Sequence, residues 1–360
     1  MPQNGSRTRT ARVAAPDAAR SRGKDQGRNG HAAPGTDETG KDGATGQRPG
    51  LGNGAGTLHP AAAGEIIVGH QEGSPKNLNC YRITDNDCLG IGGPKQKFQQ
   101  NLRAIQLVKK LQTESTPATQ DEKAILVKYV GWGAMPQVFD DRNQGWARER
   151  EALRGEITSE EFEEARKTIL NAHYTPPVVI RAMYQATQRF GFQGGQILEP
   201  ACGIGHFIGL MPEQMLRRST ITGVEIDPLT ARIARALYPD ADIRQQPFEK
   251  SKLTDESFDL AISNVPFGDY TVHDPRWNAW KFPIHDYFFA AAFAKVRPGG
   301  LVMFITSSYS MDKLDSSLRE LLSERAEFLG AIRLPNDAFK KNAGTEVTTD
   351  IVMLRKLRPG

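Results

Sequence analysis

Gln196-Ile197-Leu198-Glu199-Pro200-Ala201-Cys202-Gly203-Ile204-Gly205-His206-Phe207 reads as a short strand, a glycine turn and the start of a helix. The β-branched and apolar Ile197 and Leu198 suit a buried strand. Gly203 and Gly205 permit a tight turn and let a ligand approach the backbone just before a helix begins. The helix is predicted over Phe207–Leu216. Glu199, placed just ahead of the turn, is the unusual residue, because it offers a carboxylate to a cation such as an α-amino group.

On both sides of this stretch the chain alternates short apolar strands with amphipathic helices. Pro177–Arg189 is predicted helical and closed by Gly191. Strands are predicted at Thr220–Val224, around Ile243, and at Phe258–Ile262 and Leu301–Ile305. Helices are predicted at Thr230–Leu237, Tyr287–Lys295 and Asp315–Ala326. Two last strands, Leu329–Leu334 and Asp350–Leu354, have no helix between them. The pattern implies an α/β fold of Rossmann type: a mostly parallel, helix-covered sheet with an antiparallel strand near the C-terminus. This domain is expected over 173–358.

In such a sheet ligands sit outside the carboxyl ends of the strands. The second strand ends in Gly223-Val224-Glu225-Ile226-Asp227, and Glu225 lies twenty residues beyond Gly205. That is the offset at which an acid accepts ribose hydroxyls. Asp227 competes for the role, but the following Pro228 makes it a better helix N-cap. The turn has no third glycine and no Lys or Arg, and no phosphate-loop pattern occurs in the chain. These absences argue against NAD or ATP and for a nucleoside cofactor without phosphate. S-adenosylmethionine fits, its ammonium meeting Glu199.

The remainder of the 360 residues is less regular. Mean hydropathy is −0.50, and the deficit is concentrated in residues 1–75, which carry no aromatic residue. Such a segment buries too little apolar area to offset its ordering entropy and reads as a disordered tail. Residues 78–172 read as a helical subdomain. Phe98, Leu102, Ile105, Val108 and Leu111 recur at helical spacing, and Thr119/Glu122 and Thr158/Glu161 are capping-box pairs, the second opening a helix expected to end near Ala172. A net charge of +4 is compatible with a nucleic-acid partner without requiring one. Cys80, Cys88 and Cys202 form no paired pattern, so neither structural zinc nor a disulfide framework is expected, and no metal site is assigned. No apolar run approaches the roughly 20 residues of a membrane span, and no secretory h-region is present. A cytoplasmic protein without a membrane partner is expected.

Beyond the fourth strand comes Ser263-Asn264-Val265-Pro266-Phe267-Gly268-Asp269-Tyr270. Taken in order, Tyr174-Thr175-Pro176-Pro177, the Glu199–Phe207 turn, Glu225 and Asn264-Val265-Pro266-Phe267 resemble the motif series of gamma-class adenine-N6 DNA methyltransferases. A wider set is similar to the methylase portion of large phage- and plasmid-borne, anti-restriction-type DNA methylase–helicase proteins. It comprises Asn79–Thr84, Tyr129-Val130-Gly131-Trp132-Gly133, Leu170–Thr175, Ile284–Phe289 and Ala343–Asp350. The likeness covers about residues 78–356. In that family a long helicase region follows. This chain reaches Gly360 just after its last strand, so it is expected to correspond to the methylase portion alone, with a helicase or target-recognition region supplied from elsewhere.

The resemblance implies a class I S-adenosylmethionine-dependent methyltransferase that modifies an adenine flipped out of DNA. The implied cofactor set is Tyr174, Thr175, Glu199, Pro200, Ala201, Gly203, Gly205, Phe207, Glu225, Ile226 and Phe248. The implied catalytic set is Asn264, Val265, Pro266 and Phe267. Asn264 and a main-chain carbonyl at Val265 or Pro266 would accept the two N–H groups of the adenine amine, and Phe267 would stack on the base. Two departures stand out. The family's usual Pro at the second motif position is Val265, which keeps the carbonyl and loses the locked φ. The third strand's end, Gln245-Gln246-Pro247-Phe248-Glu249, lacks an Asp that relatives set against the cofactor adenine, leaving Phe248 to pack there. RNA, a protein glutamine amide, or binding without turnover inside a larger assembly remain alternative readings. Asp286 reads as the cap of the helix at Tyr287, and His206 as a helix-start residue. Arg276, Trp277, Trp280 and Lys281 read equally as DNA-contacting or core-covering, and Lys340 and Lys341 as possible phosphate contacts.

Overall fold

The computed structural model describes residues 79–170, 174–339 and 348–358, all within one unit spanning residues 60–360. The tail read over 1–75 and the Lys340–Lys341 pair lie outside the described residues. Seven strands form one sheet in the order β3-β2-β1-β4-β5-β7-β6. They are β1 (Gln196–Glu199), β2 (Thr220–Glu225), β3 (Asp242–Gln245), β4 (Phe258–Asn264), β5 (Val296–Ser307), β6 (Ala326–Arg333) and β7 (Thr349–Lys356). The first five are parallel, whereas β7 runs antiparallel to both β5 and β6.

The chain moves outward one way through β2 and β3, then returns to start β4 on the other side of β1. That reversal opens a crevice at the carboxyl ends of β1 and β4. Leu198 of β1 pairs with Ala261 of β4, so β4 runs on past the end of β1 and delivers Asn264 to the crevice. Residues 258–263 of β4 are buried without alternation, as expected of a strand covered on both faces.

Helices α1 (Pro94–Glu114), α2 (Gln120–Leu126), α3 (Ala147–Glu156) and α4 (Ser159–Lys167) build the region before the sheet. Both capping boxes form: Thr119 Oγ1 accepts from Glu122 N, and Thr158 Oγ1 from Glu161 N. The buried side chains of α1 and α2 are continuous with those of β1, β2 and the helix α8 (Pro228–Leu237), so this region and the sheet share one core. Asn101, fully buried on α1, anchors the loop 129–133. Its Nδ2 donates to Gly131 O at 2.6 Å, and its Oδ1 accepts from Val130 N at 2.9 Å.

Several element boundaries differ from the sequence reading, each with a local cause. The helix expected over 207–216 is two short ones, α6 (His206–Leu210) and α7 (Glu213–Arg217), because Pro212 cannot continue the hydrogen-bond ladder. Beyond α5 (Pro177–Arg189), the helix expected at Tyr287 is α9 (Ile284–Lys295), entered through Pro283. Asp286 therefore lies inside its first turn and does not cap it. It is fully buried, ion-paired with Lys313 and bonded by Ser310 Oγ at 3.1 Å. The helix expected over 315–326 shortens to α11 (Ser317–Ser323), preceded by α10 (Tyr309–Asp312), because Ala326 already belongs to the edge strand. Helix α4 stops at Lys167 in a short 3-10 turn, Thr168–Leu170. Among the described residues, no helix is long and apolar enough to cross a membrane.

Truncation at Asn101 tests the loop anchor. Asn101→Ala leaves a buried N–H and a buried C=O unpaired and is expected to cost about 2–4 kcal/mol of folding stability, measured by urea denaturation. A loss below about 0.5 kcal/mol would mean that water or rearranged backbone replaces the amide.

Candidate active site

The turn after β1 is tied to β2 by backbone. Cys202 N donates to Val224 O at 2.9 Å, and Gly205 N closes the turn on Cys202 O at 2.8 Å. Gly205 adopts φ +86°, and a Cβ there would stand 2.5 Å from the Tyr238 ring, so glycine is required on two counts. Gly203 N donates to Glu225 Oε2 at 2.9 Å, while Asp227 N donates to Glu225 Oε1 at 2.8 Å. Asp227 is spent as the N-cap of α8, accepting from Thr230 N at 2.7 Å. The two acids at the end of β2 are thus told apart by geometry: Asp227 holds a helix, and Glu225 is held by the turn.

A cavity of about 500 Å³ lies over these strand ends. Of the residues singled out from the sequence, Tyr174, Thr175, Glu199, Pro200, Ala201 and Gly203 line it. Phe207, Glu225, Ile226, Phe248, Asn264 and Pro266 line it too. Three do not reach the wall. Gly205 packs beneath Tyr238. The Val265 side chain is buried in the core, and its N donates to Ile305 O at 3.1 Å. Phe267 is half-buried and packs against the cores on both sides of the sheet.

Sequence reasoning missed much of the wall. Tyr129 and Gly131 come from the loop that Asn101 anchors, and Glu164, Lys167 and Thr168 from the end of α4. Beyond β4 the chain contributes Tyr270 through His273, then Ile284 and Phe288. The Tyr129–Gly133 stretch carried a signal, an aromatic-glycine loop, that had no chemistry attached to it. Nothing local marks Glu164 or Lys167 among the charges of α4.

Glu199 is buried, and its Oε2 has no hydrogen-bond partner among the described residues. Burial pushes its carboxyl well above the usual carboxylate range, and the charge of Glu225 pushes it further. Glu225 is raised to about 7, chiefly by burial and then by Asp227, although the N–H donors of Asp227 and Gly203 pull it back. Lys167, among the described residues the one Lys or Arg on the wall, pairs with Glu164 at 2.7 Å. A cavity with two desolvated carboxyls calls for a cation at Glu199. Phe248, stacked on Phe288 at 5.2 Å, supplies a flat apolar face on the β3 side. S-adenosylmethionine fits this set: an ammonium for Glu199, a ribose diol for Glu225, an adenine for Phe248 and no phosphate.

His206 begins α6, packs edge-on to Tyr174 at 5.1 Å and is lowered to about 4 by burial, so it is neutral at physiological pH. Trp280 stacks on Phe282 at 5.5 Å, and Arg276 lies over Trp277 at 5.1 Å. Among the described residues no group of three or more His, Cys, Asp or Glu side chains is arranged to hold a metal ion.

The sheet order, its single reversed strand and the crevice are those of a class I S-adenosylmethionine-dependent methyltransferase. Residues 198–304 match the model of the family described as "Methyltransferase domain". Curated proteins similar to the chain include a phage protein and a viral one. Defense against restriction protein B of Escherichia phage P1 is 32% identical over 192 residues, 52% of this chain and 8% of that protein. Type II methyltransferase M.CvrRI of Paramecium bursaria Chlorella virus XZ-6E is 31% identical over 179 residues, 47% of this chain and 44% of that one. The chain therefore spans less than half the length of either relative. Among solved structures, the type I restriction-modification system methyltransferase subunit from Streptococcus thermophilus is 16% identical. It aligns over 72% of this chain and 66% of that one, with a TM-score of 0.46.

The raised carboxyls give a signed pH dependence. Glu225 has a higher pKa folded than unfolded, so its contribution to the stability of the ligand-free protein is full below the ordinary value of 4.5 and is lost as pH rises through about 7. Ribose and ammonium favour the ionised carboxylates, so cofactor affinity moves the other way. Calorimetric titration is expected to show S-adenosylmethionine binding on the order of tenfold tighter at pH 8 than at pH 6. A flat profile would mean that binding does not draw on these carboxylates.

Proposed function

We propose that this chain transfers the methyl group of S-adenosylmethionine to the N6 amino group of adenine in DNA. The observation that carries this reading is Asn264. It stands at the end of β4 on the wall of the same cavity as Glu199 and Glu225, two residues before Pro266 joins that wall. The order of motifs shared with gamma-class adenine-N6 enzymes supports the same substrate, and the viral relative's name, a type II methyltransferase, supports methyl transfer.

Bound in the cavity, S-adenosylmethionine supplies an electrophilic methyl group. The protein's task is to make a poor nucleophile attack it. The adenine amine is planar because its lone pair is delocalised into the ring. The Asn264 side-chain oxygen and the main-chain carbonyl at Val265 or Pro266 accept its two N–H bonds and draw the nitrogen toward tetrahedral geometry. Holding the amine in line contributes several kcal/mol to catalysis. The methylated amine is a strong acid and gives its proton to solvent, so no side-chain base is required, and His206, buried and neutral, is not asked to act as one. The base is reached by flipping it from the duplex, and the wall beyond β4 shields it from water.

The same reading sets the reaction in the cytoplasm, on DNA. It assigns target choice to a helicase-type or target-recognition region, or to a partner subunit.

Transfer of labelled methyl to unmethylated plasmid DNA, followed by nucleoside analysis, tests the proposal. The label is expected in N6-methyladenine. Asn264→Ala is expected to lower its rate by about 100- to 1,000-fold while S-adenosylmethionine binding stays within about threefold of wild type. Label in cytosine, in RNA or in protein, or none with cofactor bound, would overturn it.

A further inference from the structure

Phe267 occupies the motif position that should stack on the substrate base, yet its ring packs into the cores on both sides of the sheet and does not line the cavity. A flat aromatic face at the β4 end of the cavity has to come from another residue. Tyr270, three positions further on, is 44% exposed and lines the same wall as Asn264 and Pro266. Its ring lies against Gly268: a Cβ on that glycine would stand 2.5 Å from Tyr270 Cε1 and 2.7 Å from Cδ1. The backbone beneath the ring is fixed. Ile284 N donates to Tyr270 O at 2.9 Å, and Thr271 bridges to Pro283, which ties the segment to the start of the buried helix α9.

We propose that Tyr270, mounted on Gly268 and clamped to α9, is the aromatic face on which the target base stacks, and that Phe267 anchors the loop to the core. The inference rests on the reading of an adenine drawn out of DNA. It adds the residue that grips the ring, where Asn264 grips the amine. An exposed ring on a fixed backbone suits this role. Every base offers such a face, so the contact contributes to affinity and positioning and leaves base identity to the acceptors at Asn264. Glycine at 268 is then a requirement of the site, because any side chain there displaces the ring.

The test is steady-state methyl transfer to unmethylated plasmid DNA, with S-adenosylmethionine binding measured separately by calorimetry. Wild-type label in N6-methyladenine establishes the reaction, and the variants then test the stacking residue. Tyr270→Ala is expected to lower kcat/KM for DNA by about 5- to 100-fold, with cofactor affinity unchanged. Tyr270→Phe and Tyr270→Trp, which keep the face and drop the hydroxyl, are expected to restore activity to within about threefold. Gly268→Ala is expected to reproduce the Tyr270→Ala loss, and the double variant to lose nothing further, because both changes remove one contact. Thermal melting checks that each variant is folded. Full activity in Tyr270→Ala, failure of Phe and Trp to rescue, or additive losses in the double variant would overturn the inference. So would a folded Phe267→Leu protein that takes the loss in KM for DNA instead. Wild-type protein that binds cofactor but does not label adenine would remove the adenine reading and this inference together.

Discussion

Two carboxyl groups set side by side with little to neutralise them govern the centre of this molecule. Glu199 and Glu225 sit at the ends of adjacent parallel strands, Glu199 buried and made costlier to ionise by Glu225, and Glu225 half-buried and made costlier to ionise by Asp227. Burying an uncompensated charge is destabilising unless something arrives to pair with it. The surrounding structure holds the pair in place regardless. Gly203 and Asp227 donate backbone N–H groups to Glu225, and the turn between β1 and α6 is pinned to β2. The arrangement is costly for the empty protein and favourable for a cationic nucleoside, which is how a fold commits stability to a binding site.

The second constraint is the length of β4. It extends beyond β1, so the residue that leaves the sheet is Asn264, on the cavity wall next to the turn, where the preceding Ser263 Oγ donates to Ala201 O at 3.4 Å. A shorter β4 would bring an apolar residue to that point. The segment that follows is then held by α9, whose entry through Pro283 is bridged to Thr271. The turn after β1 and the tip of β4 are therefore positioned by the same sheet, and the region before it adds to the cavity wall through Tyr129, Gly131 and the end of α4.

What could be read from the sequence was whatever is decided within a few residues. The strand, glycine turn and helix around Gly203 follow from local conformational preference, as do the two capping boxes and the Asp227 cap. The acid at Glu225 follows from the fixed rise of one βαβ unit. Pro212 and Pro283 also carried local signals, since proline ends one helix and admits another, and each moves a boundary that apolar spacing alone misplaced. Helix α3 was invisible because its ten residues bury only Arg150 and Leu153, which leaves no apolar stripe to find. Which aromatic faces the cavity was not legible either. Phe267 and Tyr270 lie three residues apart in an irregular segment, and only packing against the two cores decides that Phe267 turns inward. The α4 wall arises from tertiary contact between distant parts of the chain, and its charged residues resemble any solvated helix face.

The central claim is that Glu199 is kept buried to meet the cationic end of S-adenosylmethionine. Calorimetric titration of the cofactor into wild type and Glu199→Gln, paired with thermal melting of both, tests it most directly. The account predicts one-to-one binding in the wild type. In Glu199→Gln it predicts binding at least about tenfold weaker with the melting temperature retained, because the same change removes the carboxylate that pairs with the ammonium and keeps a neutral group of the same shape in the empty protein. Equal affinity in the two proteins, or no binding by the wild type, would contradict it.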